Sequence, residues 1–300
     1  MKVGIIGYGR RALYFIEQAK KKKDDIIVFS QHHPIQMNDE LTIFSGMSDL
    51  CNQKLDAAII TSADSQHFEQ AAALIKQRIP VLIEKPAATS VTLVKSLTEI
   101  AHKYKTPVYV GYNYRTCPIY QQVKNMRVDI NDVVNINCFI LADIFDNLTQ
   151  TDRLFFNVGC HYIDAINQIF DYPVWHVCNS VMCKKRSRDK SGQINVLLNN
   201  DVPLNISFNF QALCFPEVFE SSIFIQTKTN TIILTRNGLK IIEGHKIKEC
   251  NNAQTPIYEE FCKNIELRKN SCLCTLEEDM ANLQIIECIY NNTRYIGGEK

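Results

Sequence analysis

Two residues in this chain have side chains and settings suited to moving a proton between a hydroxyl and the solvent. Lys85 closes the apolar run Val81-Leu82-Ile83-Glu84-Lys85-Pro86. Pro86 disfavours helix at the residue before it and holds Lys85 extended. An ammonium there can hydrogen-bond a hydroxyl and stabilise negative charge developing on its oxygen as a hydride leaves the adjoining carbon. Taken alone, a lysine before a proline is an ordinary loop residue. His161 lies in Asn157-Val158-Gly159-Cys160-His161-Tyr162-Ile163-Asp164. An imidazole takes a hydroxyl proton near neutral pH, an effect of about 10²- to 10⁴-fold in rate. Asp164, one helical turn on, orients the ring or caps the helix. The plain alternative is a core histidine satisfied by a backbone carbonyl.

A hydride needs an acceptor, and the chain opens with a sequence suited to holding one. Gly7-Tyr8-Gly9-Arg10-Arg11-Ala12 follows the apolar start Lys2–Gly7 and opens a helical stretch. Gly7 permits a tight turn, Gly9 lets the backbone approach a pyrophosphate, and Ala12 is small enough for close helix–strand packing. The free N–H groups of the helix start then face the phosphates. The motif alone is weak; between a strand and a helix at the head of a βαβ pattern it is strong. An acidic residue is expected some 20 residues on, to hold the ribose of NAD. Phe29-Ser30-Gln31-His32-His33 stands there instead. Without a carboxylate nothing repels a 2′-phosphate, to which Ser30 can donate and Arg10 or His32 can bring charge. The expected cofactor is NADP or NAD with a slight lean to NADP; Ser30 bonding an unmodified ribose is the competing reading.

These residues need elements to position them. Short apolar runs rich in Val and Ile recur at Lys2–Gly7, Ile26–Ser30, Leu41–Phe44, Ala57–Thr61, Val81–Glu84 and Val108–Gly111. Helical stretches at Arg10–Lys23, Asp64–Arg78 and Thr89–Tyr104 separate them. Strands apolar throughout are buried on both faces, and the alternation demands right-handed crossovers. The reading is an α/β fold: an N-terminal Rossmann doubly wound parallel sheet. Past residue 120 the pattern changes to one helix, Val158–Phe170, and strands at Val174–Cys183, Gln193–Leu198, Leu204–Gln211, Ser222–Thr227 and Thr231–Thr235. Asn237-Gly238 is a hairpin turn signal. Helices follow at Pro256–Leu267 and Thr275–Tyr290. This half reads as an α+β domain with an open, largely antiparallel sheet, giving expected domains of 1–115 and 116–300.

Bulk properties exclude several functions. With 33 basic and 32 acidic residues the net charge is +1, which supplies no basic surface for nucleic acid. No run approaches the roughly 18 apolar residues of a membrane span, and the start is too short for a signal peptide. The cytoplasm is the expected location. Twelve cysteines are scattered without metal-type spacing, so no metal is expected and they read as small buried hydrophobes. Lys20-Lys21-Lys22-Lys23 suits a helix end, where cations meet the negative pole of the helix dipole.

Thr61-Ser62-Ala63-Asp64-Ser65-Gln66-His67 followed by Glu84-Lys85-Pro86 resembles the glucose–fructose oxidoreductase / inositol dehydrogenase / MocA family. The likeness continues through Gly111-Tyr112-Asn113-Tyr114-Arg115, the segment from Asn157 to Asp164, Glu260-Phe261 and Thr275-Leu276-Glu277-Glu278-Asp279. The resemblance implies a dehydrogenase acting on a secondary alcohol or ketone of a sugar or sugar nucleotide, with Lys85 and His161 catalytic. It implies Gly7, Tyr8, Gly9, Arg10, Arg11, Ser30, Ser62, Ala63, His67, Glu84 and Lys85 at the cofactor. Tyr112, Arg115, Asn157 and Asp164 are its substrate contacts, with Arg115 equally readable as an interdomain salt-bridge residue. Many members carry Asp where this chain has Asn157, and the motif looks more like the sugar-nucleotide branch. The glycine run that often precedes it is absent, with Thr151-Asp152-Arg153 in its place, so the helix start is expected to differ. The resemblance also implies a homodimer or homotetramer through the C-terminal sheet. Its non-catalytic rival is a dinucleotide-binding regulator that recognises a partner protein.

Overall fold

The computed structural model describes residues 1–30, 42–44, 52–142, 153–185, 188–210, 220–235, 237–251 and 255–293. Two compact units emerge, residues 1–116 with 255–283, and residues 117–254 with 284–300.

The first unit holds a six-stranded parallel sheet. In chain order its strands are β1 (Lys2–Ile6), β2 (Asp25–Phe29), β3 (Thr42–Phe44), β4 (Ala57–Ile60), β5 (Val81–Ile83) and β6 (Val108–Val110). Their spatial order is β3-β2-β1-β4-β5-β6. The winding reverses between β1 and β4, so a crevice opens at the carboxyl ends there, where such sheets take ligands. Helices α1 (Arg10–Lys21), α2 (Asp64–Lys76) and α3 (Val91–Tyr104) make the crossovers. The first two stop two residues short of the expected ends, before the left-handed residues Lys23 and Arg78, and the third starts two late, after the Ser90 cap. Lys20 and Lys21 fill the last turn of α1, as the helix dipole favours. Leu41, the expected first residue of β3, lies outside the described residues.

The division differs from a single cut after residue 115. Helix α6 (Ile257–Leu267) returns to the first unit because Ile257, Tyr258, Phe261 and Cys262 are buried in one core with Val3, Phe15, Ile59, Leu82 and Tyr109. The Tyr109 and Phe261 rings meet edge to face, 6.1 Å between centroids. Burying each large apolar side chain is worth about 1.5–3 kcal/mol, enough to decide where a short helix sits. Past α6, Cys274 bridges the edge strand β6 through Val110 N–H, which donates to the Cys274 carbonyl at 2.8 Å.

The second unit is built on an eight-stranded sheet in the order β14-β13-β12-β11-β7-β10-β9-β8. It starts with the short helix α4 (Pro118–Asn125). The strands are β7 (Val133–Leu141), β8 (His176–Lys185), β9 (Arg188–Leu198), β10 (Val202–Asn209), β11 (Ser222–Thr227), β12 (Asn230–Thr235), β13 (Gly238–Glu243) and β14 (Lys246–Asn251). All neighbours run antiparallel except β7 and β10, which pair in parallel. The expected largely antiparallel sheet is present, but its central strand β7 was absent from the sequence expectation. Its signal was an alternation of buried Ile136, Cys138 and Ile140 with Asn135, Asn137 and Phe139. Asn237-Gly238 does turn one strand, β12, into the next, β13. Strand β10 ends at Asn209, and Gln211 lies outside the described residues. Helix α5 (Leu154–Ile169) starts four residues before the expected Val158. Helix α7 (Leu276–Asn291) is the last element among the described residues. Among the described residues no helix is long and apolar enough to cross a membrane.

Candidate dinucleotide-binding and proton-transfer residues

The carboxyl edge of the six-stranded sheet gathers most of the expected cofactor residues. Gly7 follows β1 with φ +103°, and a Cβ there would lie 2.8 Å from Thr61 Oγ1 and 2.9 Å from Ser62 N. Gly7 N–H donates to the Phe29 carbonyl at 2.9 Å, and Thr61 Oγ1 donates to the Ile6 carbonyl at 2.9 Å. The end of β1 is thus stitched to its neighbours on both sides of the crevice, with no room for a side chain. Gly7→Ala should lower stability by about 1–3 kcal/mol and abolish the gain in melting temperature on adding NADH or NADPH, as thermal denaturation would show.

Gly9 has the opposite surroundings: a Cβ there would meet nothing within 4 Å. It caps α1 in an extended conformation without a side-chain hydrogen bond, so the first N–H groups of α1 are left to an incoming acceptor. Open space, unpaired helix amides and a glycine between them fit a pyrophosphate. Tyr8 is half-buried against the core and Arg10 is exposed. Ser30 ends β2, 6% exposed. Gln31, His32 and His33 lie outside the described residues. At the end of β4, Ser62 Oγ donates to Gln70 Oε1 at 2.6 Å, and Ala63 is exposed at the cap of α2.

Two of the expected cofactor residues, Arg11 and Glu84, pair with each other. Arg11 Nε donates to Glu84 Oε1 at 2.6 Å, its Nη2 reaches Asn113 Oδ1 at 3.2 Å, and its guanidinium lies over the Tyr14 and Phe15 rings. This ion pair joins the start of α1 to the end of β5 and neutralises both charges locally. Arg11 and Glu84 thus reach this edge already paired, and Arg10 is exposed beside Gly9. Lys85 follows Glu84 and is half-exposed; its peptide bond to Pro86 is cis.

Expected substrate residues Tyr112 and Arg115 are buried, 1% and 3% exposed. Tyr112 Oη donates to Asp279 Oδ1 at 2.7 Å, and Arg115 pairs closely with Glu278. Both partners belong to residues 255–283, so Arg115 makes its salt bridge inside the first unit rather than across a domain boundary. Glu278 is itself anchored by a reciprocal capping box: Glu278 N–H donates to Thr275 Oγ1 at 3.3 Å, and Glu278 Oε2 accepts from Thr275 N–H at 2.9 Å. The Thr275–Asp279 motif thus serves this sheet edge, and only its distance in sequence hid that.

In the second unit, His161 sits on α5. The helix is largely buried, with Phe156, Asn157, Val158 and His161 half-exposed. Asn157 and His161 lie one turn apart on that open stripe. Asp164 is fully buried in the middle of the helix, so it neither caps α5 nor faces solvent. The cap comes from elsewhere. Arg153 offers no side-chain cap, and the Asp189 carboxylate of β9 accepts from Leu154 N–H at 2.9 Å and Phe155 N–H at 2.6 Å. Tyr290 Oη donates to Asp189 Oδ2 at 2.8 Å and accepts from Phe156 N–H at 3.2 Å. Burial and then the Asp189 charge push the Tyr290 phenol up, keeping it a donor. A carboxylate at this positive helix end is favourably placed against the helix dipole. Asp189→Ala should cost about 2–3 kcal/mol in a denaturant melt, and Asp189→Asn less, since one acceptor survives.

A family model described as an oxidoreductase family with an NAD-binding Rossmann fold matches residues 1–112. Among curated proteins, the myo-inositol dehydrogenase Hyg17 of Streptomyces leeuwenhoekii is 23% identical over 179 residues, 55% of this chain and 54% of that protein. The rhizopine catabolism protein MocA of Rhizobium meliloti is 23% identical over 123 residues, 41% of this chain and 38% of that one. The chain therefore spans about half, or less, of the length of these relatives. Among solved structures, the UDP-N-acetylglucosamine 3-dehydrogenase GnnA of Acidithiobacillus ferrooxidans superposes with a TM-score of 0.84 at 16% identity, over 98% of this chain and 97% of that one. The dehydrogenase MviM of Clostridium difficile gives 0.80 at 19% identity, over 98% and 99%. At such identities the likeness establishes the fold.

Proposed function

We propose that this chain is a member of the Gfo/Idh/MocA oxidoreductase family and that it oxidises a secondary alcohol of a sugar or sugar nucleotide, or reduces the matching ketone. One observation carries the reading. The open helix start at Gly9 and the half-exposed residue Lys85 share the carboxyl edge of one parallel sheet, with the crevice of the β1–β4 reversal in it.

A nicotinamide dinucleotide supplies the hydride acceptor or donor when bound. Gly7 and Gly9 give its pyrophosphate the N–H groups of α1. Ser30 meets the ribose, and Arg10 brings positive charge beside it. With no acid at the end of β2 the reading tilts to NADP over NAD. Lys85 hydrogen-bonds the reacting hydroxyl and stabilises charge on its oxygen. His161 takes the proton in the oxidising direction and returns it in the other. Asn157, one turn before it, donates and accepts at the substrate without adding charge.

A second copy of the chain completes the reading. The face of the eight-stranded sheet carrying Asn135, Asn137 and Asn205 forms a ladder of amide hydrogen bonds, and beside it exposed Phe139 packs edge-on against Phe224 at 5.9 Å. A sheet face of amides and aromatic rings, with its Lys240 and Glu249 charges paired to each other at 3.0 Å, suits self-association.

The test is a screen of purified protein with NAD and NADP against myo-inositol and UDP-N-acetylglucosamine, following nicotinamide absorbance in both directions. Turnover of a cyclic polyol or a sugar nucleotide supports the reading. Tight cofactor binding with no turnover of any sugar or nucleotide sugar overturns it in favour of a dinucleotide-binding regulator.

A further inference from the structure

We propose that His67 and Asp279 are positioning residues for Lys85, gripping the next peptide unit from both ends. The inference rests on the role given to Lys85 above. The carbonyl of Pro86 and the N–H of Ala87 belong to a single planar peptide. His67 Nδ1 lies 2.8 Å from the Pro86 carbonyl oxygen, and Ala87 N–H donates to Asp279 Oδ2 at 3.1 Å. His67 comes from α2 and Asp279 from α7, 192 residues beyond Ala87 in sequence.

Both side chains are almost completely enclosed, His67 at 1% and Asp279 at 0% exposure. His67 Nε2 also faces a carbonyl, that of Ser62 at 3.1 Å. The contact with Pro86 is the shorter of the two, and the proposal places the ring N–H there. Asp279 uses its other oxygen to accept from Tyr112 Oη at 2.7 Å. Burying two ionisable side chains costs stability that apolar residues of the same size would not, so their value lies in what they hold in place. What they hold is one residue from Lys85. Pro86 is all that separates them, and its ring leaves the chain little slack. Ala87 and Ala88 beyond it are fully buried, so this stretch of backbone has nowhere to relax.

Four variants separate a grip on the peptide from simple packing. Asn places an amide nitrogen near the position of His Nδ1, and Gln places one near Nε2, so His67→Asn keeps the donor to Pro86 and His67→Gln loses it. Asp279→Asn keeps an acceptor for Ala87, and Asp279→Ala removes it. The first readout needs no substrate: trace acetylation of the full chain with acetic anhydride, comparing Lys85 with exposed Lys21 by mass spectrometry. His67→Gln and Asp279→Ala should change the relative rate at Lys85 by about threefold or more, while the two Asn variants stay within about 1.5-fold, since a grip of this kind sets position to about half an ångström. The second readout is turnover. The same two variants should lose about tenfold or more in kcat at nearly unchanged KM, and lose nothing further in a Lys85→Ala background, because a misplacement near 1 Å costs up to about a hundredfold. Equal effects of His67→Asn and His67→Gln, or losses that persist without Lys85, would overturn the proposal. Lys85→Ala with full turnover would instead remove the catalytic reading of Lys85 and leave the labelling result standing as a statement about backbone position alone.

Discussion

Replacing Lys85 with alanine is expected to lower turnover at least about a hundredfold while changing dinucleotide affinity by no more than about twofold. The magnitude follows from what the ammonium does. A donor aimed at an oxygen that gains charge only in the transition state is worth about 2.7–4 kcal/mol in a site shielded from water, and that is a factor of 10² to 10³ in kcat. The selectivity follows from position. Lys85 stands half-exposed beyond the end of β5, whereas the glycines and helix amides that suit the pyrophosphate lie at the end of β1. Lys85→Arg should recover little, because a planar guanidinium cannot replace a compact ammonium at one oxygen. Steady-state kinetics beside fluorescence titration with NADPH would check both halves, and a variant with near-normal kcat would take Lys85 out of the mechanism.

His161→Ala is expected to cost about 10²- to 10⁴-fold in kcat, the usual range for a positioned general base. Its distinguishing sign is chemical rescue. Free imidazole should restore a measurable part of the rate to His161→Ala and none to Lys85→Ala, since a small base can replace a missing proton acceptor but not a tethered charge. Stability should hardly change, because His161 lies on the half-exposed stripe of α5 with Asn157 and alanine is the best helix former. A loss that imidazole leaves untouched, with a lowered melting temperature, would mark His161 as a packing residue. Thermal denaturation and rate measurements on the same samples decide between the two.

How much of this could be read from residue order depended on how local each cause was. The parallel sheet was legible because strands such as Ala57–Ile60 are apolar throughout and helices such as α1 carry buried Ala12, Phe15, Ile16 and Ala19 at helical spacing. Strand β7 is hidden in the sequence despite its alternation, since amides at 135 and 137 resemble loop residues until a partner strand is known. The true start of α5, four residues before the expected Val158, has no signal near Leu154; the carboxylate that caps it stands 35 residues away at Asp189.

The sequence by itself determined the local matters: glycine where β1 turns into α1, an extended lysine before proline, and an imidazole one helical turn after an amide. Each depends on backbone sterics or periodicity within a few residues. Only the tertiary structure decided which charges are spent on architecture. It paired Arg11 with Glu84, 73 residues away, and Arg115 with Glu278, 163 residues away, and it closed Asp279 over the peptide beside Lys85. A buried charge must find a partner, and folding brings that partner from anywhere in the chain, so sequence spacing carries no trace of it.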